Sequence, residues 1–336
     1  MDRLIYIAMN GAKSTLERQA VVSNNMANAS TTGYRAAVQA FRALPVVGPG
    51  APTRTFVVDS TPGWDTRAAP IVKTGRALDV AVRDEGWIAV MGRDLREAYT
   101  RAGDLQISRS GQLQTREGLN VMGETCVQYF FFSIDNLRQP DGAKWVCSPP
   151  MRTPADNVAL WDAIRNNKLQ AVSTDHCPFL YDGTQPIMYE GQPFSLPGKE
   201  LGNGNFTKIP NGVPGIEDRM LIMWSHGVNQ GQLSLNRMVE VCCTNPAKIF
   251  GLYPQKGTLA VGSDADVVIW DPVATRTYGV AASHQRTDYN LYEGWELRGL
   301  PEKVFLRGNL LVDGDTWNGE PGGGQWLRRS AHSPIV

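Results

Sequence analysis

Every cysteine and every histidine in this chain lies beyond Glu124: Cys126, Cys147, Cys177, Cys242 and Cys243, and His176, His226, His284 and His332. Within GLNVMGETCVQYFFF, residues 118–132, the pattern changes as well. A helix followed by short alternating strands with polar turns gives way to apolar strands interleaved with helices. Glu124 is therefore read as a seam between pieces of two different proteins, and 336 residues suit about two domains of ordinary size.

Hydrophobic residues at 42% and charged residues at 20% are ordinary for globular protein. Lys plus Arg equals Asp plus Glu, so no electrostatic footprint for nucleic acid or an anionic membrane is present. Five cysteines without any CxxC spacing read as reduced thiols, with the cytoplasm as the expected compartment. Cys177, Cys242 and Cys243 are expected to pack as small hydrophobes. No apolar run approaches the roughly 20 residues that span a bilayer, and MDRLIYIAMNGAK lacks the charge pattern of a cleaved signal.

In the first half, Ile5, Ala8, Ala12, Leu16 and Ala20 recur at spacings of three and four, which predicts a helix over 1–28 with a narrow apolar stripe. The Asn, Ser and Gly residues of VSNNMANASTTGYR should end it. From Thr55 onward the runs TFVV, LDVAV, WIAV, EAYTR, LQI, QLQT and LNV alternate with turns and predict a mainly antiparallel β module over 53–122. Asn24, Asn25, Ala27, Asn28, Thr32, Gly33 and Tyr34 together resemble the N-terminal signature of the flagellar rod and hook family. TGRALDVAVRDEGWIAV, EAYTRAGDLQISRSGQLQT and GLNVMG resemble that family's β region, the likeness running to about Glu124. The resemblance implies a structural subunit of the bacterial flagellar basal body, partnered by other rod subunits through terminal helices. This chain ends instead in a Gly-rich basic stretch, PGGGQWLRRSAHSPIV, and an isolated amphipathic helix gains little by forming.

In the second half AKWVC, residues 143–147, reads as a strand that stops at Ser148 and Pro149. Thr153, Pro154 and Asp156 mark a helix start, with Val158, Trp161 and Ile164 as its buried face. LQAVST then leads to Asp175 and His176, so strand, helix and strand form a parallel crossover whose C-terminal ends are where α/β barrels place chemistry. Helices are predicted over 216–224 and 235–243, with a third starting at Asn245 and Pro246 and stopping at Gly251. GTLAVGSDADVVIWDP and EKVFLRGNLLV read as strands of a smaller unit.

KWVCSPPMR, STDHCPF, KIPNGVPGIEDR, TNPAKIFGLYPQKGTLAVGSDADVVIWDP and DYNLYEG are similar, in this order, to the dihydropyrimidinase and hydantoinase branch of the amidohydrolases, over residues 123–330. The fold expected is mixed: an N-terminal helix plus mainly antiparallel β module over 1–124, a partial α/β TIM-type barrel over 125–255, a small β-sandwich portion over 256–320, and a flexible tail over 321–336. The resemblance implies hydrolysis of a cyclic amide by homo-oligomers, with two zinc ions bridged by hydroxide and a carboxylated lysine. It places Asp175 as metal ligand and proton shuttle, and Ser148 and Asn211 against the ring's amide edge. Asp175 also suits a strand-end cap or ion pair, and Ser148 and Asn211 suit turns.

In that branch the first ligands come from an HxH pair, then the lysine, then two histidines, all upstream of the matching part. This chain contains no HxH, and one aspartate cannot hold two zinc ions, so metal is not expected to bind and the enzyme is expected to be inactive alone. A parallel barrel is closed, and losing most of its strands bares edges and apolar faces, so the second half is expected to be poorly soluble or partner-dependent. Two other readings stand beside the hydrolase: a rod subunit with a replaced C-terminal region, and a reading frame joining two genes with no single function.

Overall fold

Helix α1 runs Leu4–Ala27 in the computed structural model, which describes residues 4–48, 54–67, 70–94, 96–184, 186–189 and 191–330. The chain divides into two units, Met1–Gly92 with Ala98–Val121 and Arg93–Glu97 with Met122–Val336.

In the first unit α1 packs on an antiparallel hairpin, β1 (Ala37–Pro45) and β2 (Thr55–Trp64), with a bulge between Ala40 and Phe41. The sequence placed the first strand at Thr55. β1 lacks clean alternation of large apolar residues and owes its shape to the partner strand. The stripe from Ile5 to Ala20 does not face this hairpin: Ile5 and Leu16 are 65% and 66% exposed. The covered face is Ile7, Asn10, Gly11, Ser14, Glu17, Val21 and Asn25, also at mostly three- and four-residue spacing. Small and polar groups let the backbone approach the hairpin, and Asn10 Oδ1 accepts the Val57 N–H at 2.7 Å, satisfying a donor on the strand edge.

Short pairs follow: β3 (Ile88–Met91) with β4 (Glu97–Thr100), and β5 (Gln106–Ile107) antiparallel to β6 (Leu113–Gln114). LDVAV, expected as a strand, carries a single bridge between Asp79 and Asp104. Val80 N–H donates to the Gly103 carbonyl at 2.9 Å instead, and its own carbonyl lies where any Cβ on Gly103 would fall.

The second unit begins with β7 (Glu124–Cys126), parallel to β8 (Ala171–Ser173), with α3 (Pro154–Arg165) between them. The crossover thus exists, but its first strand is not AKWVC. Residues Gly142–Trp145 form a 3₁₀ turn after the short helix α2 (Ile134–Leu137). Trp145 and Cys147 are buried there, and a run of five apolar-rich residues does not distinguish a buried turn from a strand. α3 starts where expected, and there Thr153 N–H donates to Asp156 Oδ2 at 2.9 Å, one half of a capping box. Trp161 and Ile164 are buried, whereas Val158 is 67% exposed. Two steps of three residues rotate about 120° around a helix, which carries Val158 off the buried face. Asn157 lies on that face and donates to the Tyr129 and Phe132 carbonyls at 2.6 and 2.9 Å.

After the hairpin β9 (Ile187–Tyr189) and β10 (Gln192–Phe194), α4 (Asp218–Ile222) widens into a π-helical turn, Met223–Val228. α5 (Leu235–Val239), a second π-helical turn (Glu240–Thr244) and α6 (Asn245–Ile249) are continuous, where the sequence predicted two helices. Pro246 cannot donate to the preceding turn, and widening that turn lets the helix pass the proline instead of stopping.

The C-terminal strands β11 (Val267–Tyr278), β12 (Trp295–Leu306), β13 (Asn309–Asp313) and β14 (Thr316–Trp317) form one antiparallel sheet in sequence order. Residues 256–320 therefore supply a single layer, since each strand pairs with the next and none is left for a second sheet. The tail expected to be flexible is tied at residues 329–330: Arg329 Nε and Ser330 N–H donate to the Phe250 and Gly251 carbonyls, each at 2.8 Å. His332 lies outside the described residues.

The second unit's core joins these elements through aromatic rings. Phe130 packs on Trp161 with centroids 4.4 Å apart, and Phe132, Tyr292 and Trp295 lie within 5.1–5.9 Å of one another. Among the described residues the parallel sheet holds only β7 and β8.

Candidate functional site

Three chain segments meet beyond the C-terminal end of β8. Cys177 N–H donates to the Val213 carbonyl at 3.0 Å, and His176 and Val213 form a parallel bridge, so residues 211–213 run beside 176–177. On the other side Gly212 N–H donates to the Val146 carbonyl, also at 3.0 Å. Residues 211–213 are thus held between the segment carrying Ser148 and the segment carrying Asp175. Gly212 is required by this packing, because a Cβ there would lie 2.4 Å from the Cys177 carbonyl oxygen.

Asn211 and Ser148 meet directly: Asn211 Nδ2 donates to Ser148 Oγ at 2.5 Å across 63 residues of chain. Both are exposed, leaving the Asn211 carbonyl oxygen as an acceptor and the Ser148 hydroxyl proton as a donor. Ser148 does not end a strand, as the sequence implied; it follows the 3₁₀ turn, and Tyr129 fixes its neighbour by donating to the Pro149 carbonyl at 2.7 Å. Asp175 lies two residues past β8, exposed, with φ of 48°. That left-handed region is one aspartate enters more readily than most residues.

The residue after Asp175 does structural work that sequence reading missed. His176 Nδ1 accepts the N–H groups of Gly215 and Ile216 at 3.1 and 3.2 Å, which leaves the ring proton on Nε2 and ties STDHCPF to IPNGVPG. Burial depresses its pKa and favours this neutral form. Buried Asp218, at the start of α4, accepts from Tyr278 Oη at 2.6 Å and Gln285 Nε2 at 2.7 Å, and burial raises its pKa. Arg219 donates to the Val172 carbonyl at 2.9 Å, anchoring the helix to β8.

The donor set does not fit a two-zinc centre. Among the described residues no group of three or more His, Cys, Asp or Glu side chains could hold a metal ion. His176 Nδ1 is occupied by two backbone donors, and burial first of all raises the pKa of the Cys126 and Cys147 thiols near Asp175, keeping them protonated. Cys177 is exposed rather than packed, since it sits on the strand-end loop and not beneath it; Cys242 is buried and Cys243 half-buried. His226 lies edge-on to Trp295 with centroids 4.6 Å apart, and exposed His284 pairs with Glu217 at 2.9 Å.

The flagellar-type residues of the first unit form a local clamp. Asn25 Oδ1 accepts from Ala37 N–H at 2.9 Å and Tyr34 Oη at 2.8 Å, while its Nδ2 donates to the Ala37 carbonyl at 3.0 Å. Asn28 donates to the Asn24 carbonyl and side chain, both at 2.9 Å, closing the helix end beyond Ala27. Gly33 has φ of 72°, and a Cβ there would lie 2.1 Å from the Arg101 carbonyl oxygen.

The crossover, the strand-end loops and the trailing antiparallel sheet define the class. The family model described as "Amidohydrolase family" matches residues 107–311, more than half of the chain, and the chain belongs to that family. Within it the chain is similar to the D-hydantoinase of Rhizobium radiobacter, 44% identical over 214 residues that make up 63% of this chain and 44% of the relative. The D-hydantoinase of Geobacillus stearothermophilus is 42% identical over 222 residues, 66% of this chain and 44% of that protein. Among solved structures, D-hydantoinase from a Bacillus sp. AR9 superposes with a TM-score of 0.59 at 46% identity, covering 65% of this chain and 45% of that one. Dihydropyrimidinase from Brevibacillus agri NCHU1002 gives 0.59 at 45% identity, covering 65% and 44%. The chain thus spans less than half the length of the relatives it matches. A second model, "Flagella basal body rod protein", matches residues 5–35, so one chain carries two family signatures. Among the described residues no helix is long and apolar enough to cross a membrane.

Proposed function

We propose that residues 123–330 are the ring-holding portion of a dihydropyrimidinase- or hydantoinase-type hydrolase, and that this chain alone binds a cyclic amide without opening it. The observation that carries the reading is the contact of Asn211 with Ser148, which sets one acceptor and one donor side by side at the surface. The edge of a hydantoin or dihydropyrimidine ring presents N–H beside C=O, the complementary pair. To Asp175, on the neighbouring segment, the family resemblance assigns proton exchange with a ring nitrogen. Hydrolysis at neutral pH needs an activated water, and the donor set described above does not provide the metal centre that would activate it.

The test is ligand-observed NMR of dihydrouracil and hydantoin with the purified chain, alongside a zinc-supplemented hydrolysis assay. Binding that Ser148→Ala and Asn211→Ala abolish, without turnover, supports the reading. Binding indifferent to both substitutions refutes the ring site, and turnover refutes the inactivity.

A second reading is favoured by α1, whose apolar stripe is exposed. A helix with an uncovered apolar face suits assembly with other helices, as in a rod subunit. Incorporation of the chain into flagellar basal bodies would support it; absence of the chain from purified basal bodies would count against it.

A further inference from the structure

Lys199 is a buried charged residue to which the proposed ring site assigns no role. It is 2% exposed and opens a 3₁₀ turn, Lys199–Gly202. Its Nζ donates to three backbone carbonyls: Val146 at 3.0 Å, Pro210 at 3.0 Å and Gly212 at 2.7 Å. Three protons meet three acceptors, which fills the ammonium's donor capacity. Val146 stands two residues before Ser148, and Pro210 and Gly212 flank Asn211.

We propose that Lys199 is the positioning residue of the ring site: its ammonium ties the Ser148 segment to the Asn211 segment and so sets the spacing of the donor and acceptor that face the ring. This rests on the reading of Ser148 and Asn211 given above. A direct bond between the segments, Gly212 N–H to the Val146 carbonyl, keeps them adjacent without the lysine, but it fixes only one point. Lys199 adds the Pro210 carbonyl, in the peptide that precedes Asn211, and the Gly212 carbonyl one peptide beyond it, so the backbone that aims the Asn211 side chain is held on both sides. The Phe179 ring lies 5.9 Å from Nζ, and the titratable groups whose charge reaches it are Cys147 and Cys177. Burial lowers the Lys199 pKa to about 8. Above that pH a neutral amine keeps two donors for three carbonyls, and the clamp loosens.

Two readouts test this on the full chain. In protein labelled with ¹⁵N-asparagine, the Asn211 side-chain amide resonance should move with a midpoint near pH 8, and Lys199→Met should abolish that step. The same substitution should weaken dihydrouracil binding at pH 7 roughly tenfold, the loss expected when one hydrogen bond of the ring is misaligned. The pH titration of the unsubstituted chain needs no variant and stands even where Lys199→Met fails to fold. An Asn211 resonance flat across pH 8, or one whose step survives in Lys199→Met, overturns the proposal. Failure of dihydrouracil to bind the unsubstituted chain refutes the ring site instead, and the Asn211 step then still decides whether Lys199 positions that side chain.

Discussion

Substituting Gly33 by alanine tests whether the tight corner after α1 is set by backbone geometry alone or by close packing. Two costs are separable. Gly33 has φ of 72°, and holding alanine there costs about 1 kcal/mol. The new Cβ would also sit 2.1 Å from the Arg101 carbonyl oxygen, so backbone must shift, at about 1–3 kcal/mol more. Arg101 does not give way freely: its guanidinium donates to the Val82 carbonyl at 2.7 Å, to Asp84 at 3.0 Å and to Gly86, and lies 5.8 Å from the Trp87 ring. Gly118 supplies the control in the same unit, with φ of 83° and nothing within 4 Å of its virtual Cβ. Gly118→Ala should cost about 1 kcal/mol or less, some of it offset by a stiffer unfolded chain, and Gly33→Ala about 2 kcal/mol more. Hydrogen exchange read by mass spectrometry on first-unit peptides resolves the difference independently of the second unit. Equal loss of protection in the two variants would refute the close-packing argument.

Three further outcomes follow from the second unit. Lys199, ordinarily at 10.5, titrates at about 8 when folded, so between these values the unfolded chain binds the extra proton and stability rises with pH; at about 1.4 kcal/mol per pH unit, the chain should gain about 3 kcal/mol over Lys199→Met by pH 10.5 in chemical denaturation. A flat difference between the two across that window removes the buried-ammonium account. Iodoacetamide applied to the native chain should modify Cys177 first, since Cys126, Cys147 and Cys242 are buried with burial raising their pKa, and Cys242 reaches about 12; prior labelling of Cys242 would contradict the packing. With a parallel sheet of two strands among the described residues, the purified chain should associate or need a partner, and a monodisperse monomer on size exclusion would contradict this.

The two family signatures were legible because their motifs are contiguous in sequence, and residue chemistry changes between them, cysteine and histidine beginning only after Glu124. The α3 cap was legible too, since Thr153, Pro154 and Asp156 act through adjacent backbone. What failed depended on distant chain. AKWVC is the more apolar run and β7 is only Glu-Thr-Cys, yet parallel pairing with β8 makes β7 the strand. The α1 stripe gave the helix but not its orientation, because Asn10 and Asn25 find backbone partners in the hairpin. At the site, Ser148 and Asn211 came from motif resemblance, while Lys199 and His176 carried no local signal. Their roles are hydrogen bonds to carbonyls and amides of segments that sequence order keeps apart.

Ring-holding loops without a metal centre are what we propose for this chain, and among the described residues no group of three or more donors could hold a metal ion. Metal analysis of the full chain after zinc loading and desalting, with dihydrouracil hydrolysis measured on the same sample, decides the matter. Substoichiometric zinc and no ring opening are expected; two zinc ions per chain with turnover would overturn the proposal.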